Sequence, residues 1–154
     1  MSSLPVEGSC RCGQVKMRVS APPMLTMACH CTGCQKMTAG PFSLSVMIPA
    51  PGFAVIEGET AIGGLHGADL HHHHCPRCMS WLFTKVEGVD FFVNARSTMF
   101  GVPEWNTPYL ESFTDEKLPW ASTPAVRSFP RFPEMADFED LMSGYAAGQG
   151  ATGG

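Results

Sequence analysis

Residues 28–36, ACHCTGCQK, carry three cysteines within six positions, Cys29, Cys31 and Cys34. Zinc binds four ligands in a tetrahedron, and thiolate sulfur is one of its preferred ligands. Three thiolates from one short loop leave the fourth position to a water, a substrate or a histidine. An incomplete set is typical of a reactive metal, whereas an internal histidine would complete a closed Cys3His site without chemistry. The residues alone leave both alternatives open.

Four further cysteines flank this group as two close pairs, in GSCRC at 8–12 and in HCPRC at 74–78. Each pair reduces the entropy cost of assembling a metal site, because one short loop positions two ligands. Together the pairs make a closed set of four thiolates, which favours a structural zinc that joins distant parts of the chain. This four-cysteine set consists of Cys10, Cys12, Cys75 and Cys78.

A disulfide framework fits the cysteines poorly. Their number, seven, is odd, and cysteines one residue apart on a strand point to opposite faces unless a turn brings them together. The first ten residues, MSSLPVEGSC, lack the basic and apolar regions of a signal peptide. We therefore expect a cytoplasmic protein in a reducing compartment, where disulfides are rare.

The composition bounds the fold and argues against two kinds of partner. Gly and Pro number 16 and 13, and charged residues make up only 16% of the chain, which disfavours long surface helices. Fourteen acidic against ten basic residues give a net charge of −4, so no basic face for nucleic acid is predicted. No apolar stretch approaches the ~18 residues of a membrane span. The oligomeric state stays open.

The length of 154 residues is enough for one domain with a core. We predict a single zinc-binding domain over residues 1–147. The remaining residues, GQGATGG at 148–154, have no apolar anchor and are predicted to be a disordered tail.

Short strands separated by turn residues follow the cysteine groups. Apolar and polar side chains alternate from Gln14 to Ser20, which predicts a half-buried strand. Further strands are predicted at Leu25 to Ala28, Phe42 to Ile48, Phe53 to Glu57, Ser80 to Lys85 and Asp90 to Ala95. The pattern favours a mainly β fold with a few short helices.

Three segments have helical character. Thr32 to Thr38 has room for one or two turns, and a short helix is predicted from Pro108 to Thr114 because proline is tolerated at a helix start. After Pro133, apolar residues recur at spacings of three and four, which predicts a helix that packs on the body. This stripe consists of Met135, Phe138, Leu141, Met142 and Tyr145.

Taken in order, GSCRCGQV, ACHCTGCQKMTAGPF and HCPRCMSWLF, followed by DFFVNA, resemble the glutathione-dependent formaldehyde-activating enzyme (GFA) family over roughly residues 5–120. The resemblance implies a small antiparallel β-tent fold, similar to a zinc ribbon, with two zinc sites. It also implies that the four-cysteine set holds the structural zinc and that Cys29, Cys31 and Cys34 hold the catalytic one. The spacing of the seven cysteines predicts the same grouping into four and three.

Two positions depart from the family pattern. The family commonly has glycine directly after the last cysteine of its third motif, where this chain has Met79, and also at the position of Ala39. If the first position needs a positive φ, a side chain there costs about 1–2 kcal/mol.

The three-cysteine group favours thiol chemistry over hydrolysis. Three thiolates leave zinc with a local charge near −1, so a bound water is acidified less than at three neutral imidazoles. A sulfur-rich site suits an incoming thiol, which binds as the thiolate. The resemblance supplies the partners, a small thiol such as glutathione and a small aldehyde such as formaldehyde. We interpret the protein as a zinc-dependent carbon-sulfur lyase that acts on a thiol/aldehyde adduct, similar to S-(hydroxymethyl)glutathione synthase, with Cys29, Cys31 and Cys34 as catalytic residues.

Two alternatives come from other classes of protein. In one, both metals only hold the fold, and the protein is a zinc-stabilised binding module for another protein. In the other, a fourth thiolate weakens the hold on zinc, and the protein is a thiol-sensitive metal store.

Several other residues are candidates with a simpler structural explanation. His71 to His74 is expected to be an extended segment whose residues face alternately in and out, in preference to a metal ligand or a guard of the open zinc. His30 is expected to point to solvent or to support a ligand sulfur. We assign Trp81, Phe83, Phe91 and Phe92 to the core and consider Trp105, Tyr109 and Trp120 as candidate pocket residues.

Overall fold

The computed structural model describes residues 3–65 and 67–152, with side chains described as far as residue 148. These residues form eleven strands and two α-helices, which confirms the mainly β prediction. The strands are β1 (Val6–Ser9), β2 (Lys16–Val19), β3 (Leu25–Cys29), β4 (Ser43–Pro49), β5 (Phe53–Glu57), β6 (Ala61–Gly63), β7 (Leu70–His74), β8 (Trp81–Val86), β9 (Phe92–Arg96), β10 (Leu110–Ser112) and β11 (Arg127–Ser128). The helices are α1 (Thr32–Thr38) and α2 (Phe138–Thr152).

The strands form two sheets. The smaller has the antiparallel order β1-β2-β5, and the larger has the order β11-β10-β3-β4-β9-β8-β7-β6. The large sheet is antiparallel except at one end, where β10 pairs in parallel with both β3 and β11. The mainly antiparallel fold implied by the family resemblance is thus confirmed, with parallel pairing confined to β10. A parallel pair requires a long crossover connection, which the chain between β3 and β10 provides.

The main core lies between the two sheets. Val15, Met17 and Val19, which alternate with polar residues in the sequence, are completely buried. They pack in one cluster with residues of the large sheet, among them Val46 and Ala95. The alternation predicted for the first strand is thus confirmed, although the strand itself is shorter.

The opposite face of the large sheet has an apolar end and a polar end. At the apolar end, Leu141 and Tyr145 of α2 pack on Leu25, Met47 and Leu110. The helix predicted after Pro133 is therefore present, but a 3-10 turn at Met135–Asp137 precedes it, and Met135 is 81% exposed and so lies outside the packed stripe.

At the other end of that face, strand register places a row of polar side chains. Opposite residues of paired antiparallel strands share a face, as do residues two apart on one strand. Cys29 lies opposite Ser43, Ser45 lies opposite Arg96, and Thr84 lies opposite His72 and Asn94. We call this surface the polar face; it is the part of the sheet next to α1.

The predicted helix from Pro108 to Thr114 is wrong, since residues 110–112 form β10. Proline permits a helix start, but the backbone here pairs with both β3 and β11, and these ladder hydrogen bonds override the local preference. By contrast, α1 and β5 have the predicted bounds.

The second helix continues beyond the predicted end of the domain. α2 is helical through Thr152, whereas a disordered tail is predicted from residue 148; residues 153 and 154 lie outside the described residues. Neither described helix combines the length and the apolar character needed to cross a lipid bilayer.

Candidate metal centre

The four-cysteine set is brought together by two turns. Cys10 and Cys12 lie in the turn between β1 and β2, and Cys75 and Cys78 lie in the turn between β7 and β8. All four sulfurs lie within 4.8 Å of one another. The Cys10 and Cys12 sulfurs are 3.6 Å apart, and those of Cys12 and Cys75 are 3.8 Å apart. Four sulfurs at about 2.3 Å from one tetrahedral ion would lie about 3.8 Å apart, so the set is compatible with zinc.

The second of these turns contains a residue in the left-handed conformation. Met79, directly after Cys78, has φ 63°, and its N–H donates to the carbonyl of Cys75 at 2.9 Å. The position at which the family commonly has glycine therefore does need a positive φ. Ala39, the other departure, has φ 52° and ends α1 in the same conformation. At both positions a residue with a side chain adopts the left-handed conformation, which costs conformational free energy relative to glycine.

The three-cysteine group, which we call the trio, lies where β3 meets α1. Cys29 ends β3, Cys31 caps α1 by accepting the Cys34 N–H at 3.3 Å, and Cys34 lies in the first turn. The three sulfurs lie within 4.8 Å of one another and each residue is half-buried. Ser43 of β4 donates its hydroxyl to the Cys34 sulfur at 3.1 Å. The geometry is thus compatible with a shared zinc ion.

In the described part of the chain, no histidine or carboxylate joins the trio within the same distance. The described residues therefore offer three sulfurs to an ion at this position. The hydrogen bond from Cys34 lowers the pKa of Cys29 against the opposing effect of burial, and the same pairing raises the pKa of Cys34. The two sulfurs thus share a thiol proton, and Cys29 is the more acidic cysteine of the pair.

His30, between two trio cysteines, behaves differently from expectation. Its side chain is completely buried, and its Nε2 lies 2.8 Å from Oε2 of Glu111. The His30 ring does not face solvent, and among the described residues it makes no hydrogen bond to a cysteine sulfur. Glu111 also accepts from the hydroxyls of Thr123 and Ser128, each at 2.8 Å. Burial raises the pKa of Glu111, but these hydrogen bonds outweigh it and hold the pKa below its usual value.

The sequence has no local signal for the pairing of His30 with Glu111, because the two residues are 81 positions apart.

A second acidic residue close to β10, Glu116, supports the loop that carries the trio. One oxygen of Glu116 accepts both the N–H and the hydroxyl of Thr32 at 3.0 Å. Gln35 donates to the His30 carbonyl at 2.8 Å and to the Glu116 carbonyl at 3.0 Å. The loop that carries the trio is therefore held from both sides.

The histidine tract lies on β7 and faces alternately, as expected. His72 is buried, and its Nδ1 lies 2.8 Å from the Thr84 hydroxyl. His73 faces the other way and stacks on Phe83, with ring centroids 4.4 Å apart. A Cβ at Gly64 would lie 3.2 Å from Cε of Met37 and 3.3 Å from Cδ2 of His72. Gly64, directly after β6, therefore lies between the Met37 side chain of α1 and the His72 ring.

The aromatic assignments are confirmed only in part. Trp81 and Phe83 are buried as predicted, but Phe91 is 52% exposed and is not a core residue. Trp105 packs against Phe100 inside the main core, so its assignment to a pocket is wrong. Trp120, in contrast, is 72% exposed and lines a groove of about 500 Å³ together with Gln35, Lys36, Ala39, Gly40, Pro41 and Leu118.

Comparison with known proteins identifies a family and a structure of similar fold. The model of the family described as "Glutathione-dependent formaldehyde-activating enzyme" matches residues 5–116. No curated protein has significant sequence similarity to the chain. A crystal structure of a Rhodobacter sphaeroides protein has a TM-score of 0.51 at 16% identity, covering 62% of this chain and 89% of that chain. At this identity the likeness concerns the fold alone.

Proposed function

The chain belongs to the family of glutathione-dependent formaldehyde-activating enzymes, and we propose that it is a zinc-dependent carbon-sulfur lyase that joins a small thiol to a small aldehyde or cleaves the adduct. Family membership supports a function related to glutathione and formaldehyde. The observation that supports the finer proposal is the trio, three sulfurs within 4.8 Å of one another on a half-buried loop.

The reaction needs a thiolate and a place for one proton. In the joining direction, the sulfur of the thiol forms a bond to the carbonyl carbon. The carbonyl oxygen takes a proton and becomes a hydroxyl, so the proton lost by the thiol is regained and no oxidant or reductant is required. A zinc ion, when bound by Cys29, Cys31 and Cys34, would supply the positive charge that favours the thiolate form of an incoming thiol.

The residues around the trio hold it ready for this role. Glu111 fixes His30, Glu116 fixes the first residue of α1, and the Ser43 hydroxyl orients the Cys34 sulfur. Supporting hydrogen bonds of this kind fix the direction of ligands and tune their basicity. Because these contacts come from β4 and from the segment around β10, the trio is positioned by the fold as well as by its own loop.

The groove beside α1 is a place for the rest of a thiol substrate. It begins at Gln35 and Lys36, which directly follow Cys34 in the chain, and it is closed by Leu118 and the exposed ring of Trp120. Lys36 supplies a positive charge for a carboxylate, and the Trp120 ring supplies an apolar surface. A small peptide thiol such as glutathione has both carboxylate and aliphatic parts.

The first test uses cobalt in place of zinc. Saturating glutathione is added to the cobalt-substituted protein, and we expect a new sulfur-to-metal absorption that Cys31→Ser abolishes. No change in the spectrum of the parent protein would reject thiol binding at the metal. Loss of cobalt during the titration would instead favour the thiol-sensitive metal store.

The second test compares the two cysteine sets. Formation of the glutathione-formaldehyde adduct is followed by NMR exchange, with far-UV circular dichroism as the measure of folding. We expect Cys31→Ser to abolish the acceleration while the fold is kept, and Cys78→Ser to unfold the protein. Equal unfolding by both variants would favour the binding module.

A further inference from the structure

Arg96, at the end of β9, is a buried cation with an unusual set of partners. Arg96 is 9% exposed, and its guanidinium stacks on the Trp81 ring, 3.7 Å from the ring centroid. One nitrogen, Nη2, donates to the Thr84 hydroxyl at 3.1 Å, while Nε has no hydrogen-bond partner. In the portion of the chain that the structure describes, no carboxylate forms an ion pair with Arg96. A buried charge without a counter-charge is strongly destabilising, so a negative group is needed nearby.

The trio is the negative group that the fold brings close. Arg96 lies opposite Ser45 on the polar face, Ser43 is two residues along the same strand, and Ser43 lies opposite Cys29. Ser43 also contacts the Cys34 sulfur. The trio therefore lies over β4, the strand that pairs with the strand of Arg96. Burial lowers the pKa of Arg96 to about 10, and negative charge on the Cys34 and Cys29 sulfurs acts in the opposite direction. The guanidinium is therefore charged at neutral pH.

The Thr84 hydroxyl fixes the orientation of this cation. It accepts from Arg96 Nη2 and from the Trp81 indole N–H, which lies 3.2 Å away. Both are obligate donors, so both lone pairs of the hydroxyl oxygen are used and its single hydrogen goes to Nδ1 of His72. His72 is thereby fixed as the neutral tautomer with its proton on Nε2, which leaves Arg96 as the cation of this group.

We propose that Arg96 is the buried counter-charge of the trio and a positioning residue for it. Three thiolates and one divalent ion carry a charge of −1, and an added thiolate would make it −2. A fixed guanidinium opposes this accumulation, so it strengthens the hold of the trio on the ion and makes an anionic fourth ligand more acceptable than it would otherwise be. The part that concerns the added thiolate rests on the proposed function, while the part that concerns the ion does not.

The experiment measures metal affinity at the trio in the full-length protein. One equivalent of zinc first fills the four-cysteine set, and cobalt is then titrated in competition with a chelator. We expect Arg96→Met to weaken cobalt binding at the trio at least tenfold, as loss of a supporting contact typically does. Arg96→Lys, which keeps the charge but not the planar stacking, should restore most of the affinity. Zinc binding by the four-cysteine set should not change.

Lys85→Met is the matched control, because Lys85 is an exposed cation on β8 whose ammonium lies 5.9 Å from the Phe83 ring, on the other face of the sheet. It should leave cobalt binding within twofold of the parent. If Arg96→Met does not fold, Arg96→Gln gives the same comparison, since it keeps a hydrogen-bonding group and loses the charge. Affinity within twofold of the parent in the folded uncharged variant would overturn the inference.

The glutathione titration separates this inference from the proposed function. A trio whose cobalt affinity depends on Arg96 but whose spectrum never responds to glutathione would contradict the proposed function and support the counter-charge. A trio that binds cobalt and glutathione equally well with and without the charge would contradict the counter-charge alone.

Discussion

Replacing Met79 by glycine should stabilise the protein, and the structure gives the size of the effect. Met79 has φ 63° and its side chain is 64% exposed, so little packing is lost when it is removed. A side chain in the left-handed region costs roughly 1–2 kcal/mol. The freedom that glycine adds to the unfolded chain opposes this by about 0.4–1 kcal/mol. The net gain expected for Met79→Gly is about 0.5–1 kcal/mol, or a rise of about 2 °C in Tm for a chain of this size.

Urea unfolding at a fixed excess of zinc is the appropriate assay, since a shift of the midpoint at constant slope reports stability. Met79→Ala is the first control, because it removes the side chain but keeps the Cβ and should give no comparable gain. Met135→Gly is the second, since Met135 is 81% exposed but lies in a 3-10 turn, where glycine should destabilise. Equal stabilisation by alanine and glycine at position 79, or destabilisation by glycine there, would refute the reasoning.

Two further substitutions use the same assay to test the support of the trio and the close approach of Gly52 to Ala21 beside the small sheet. Glu111→Ala should cost about 3 kcal/mol because it leaves His30 buried without its partner, whereas Glu87→Ala, an exposed ion-pair residue, should cost under about 1 kcal/mol; similar losses would contradict this difference. Because the pKa of Glu111 is held below its usual value, its contribution is present above the usual carboxyl pKa and is lost as the pH falls through the lowered one, a dependence that Glu111→Gln should remove. Gly52→Ala should cost about 1–3 kcal/mol, since its Cβ would collide with the Cβ and backbone nitrogen of Ala21, and an unchanged urea midpoint would show that the two segments are free to separate.

The cysteine groups were predictable because each is local. Two or three sulfurs separated by one or two residues can converge only through a tight turn, so their spacing indicates both the turn and the ligand sets. The sulfurs within each set indeed lie within 4.8 Å of one another. The strand at residues 16–19 was predictable for a related reason, since alternation of apolar side chains reflects burial on one face. The strand at residues 53–57 was predictable from the turn residues directly before it.

Other features depend on which strands become neighbours. β10 was predicted as a helix because proline permits a helix start, but its place between β3 and β11 made it a strand. Phe91 has a large apolar side chain of the kind found in cores, yet it is exposed beside Phe92. Trp105 is instead buried against Phe100. Local sequence patterns do not distinguish these outcomes, because burial is decided by distant segments.

The amino-acid sequence by itself therefore determined the two sets of sulfurs, the β character and the turns that carry the cysteines, since all of these follow from spacings of a few residues. Only the tertiary structure decided that Glu111 holds His30 and that Arg96 lies on the same face of the large sheet as Cys29. Both arrangements bring together residues more than sixty positions apart in the chain. Their free energy is gained only after the long loops between them close, so no local pattern records them.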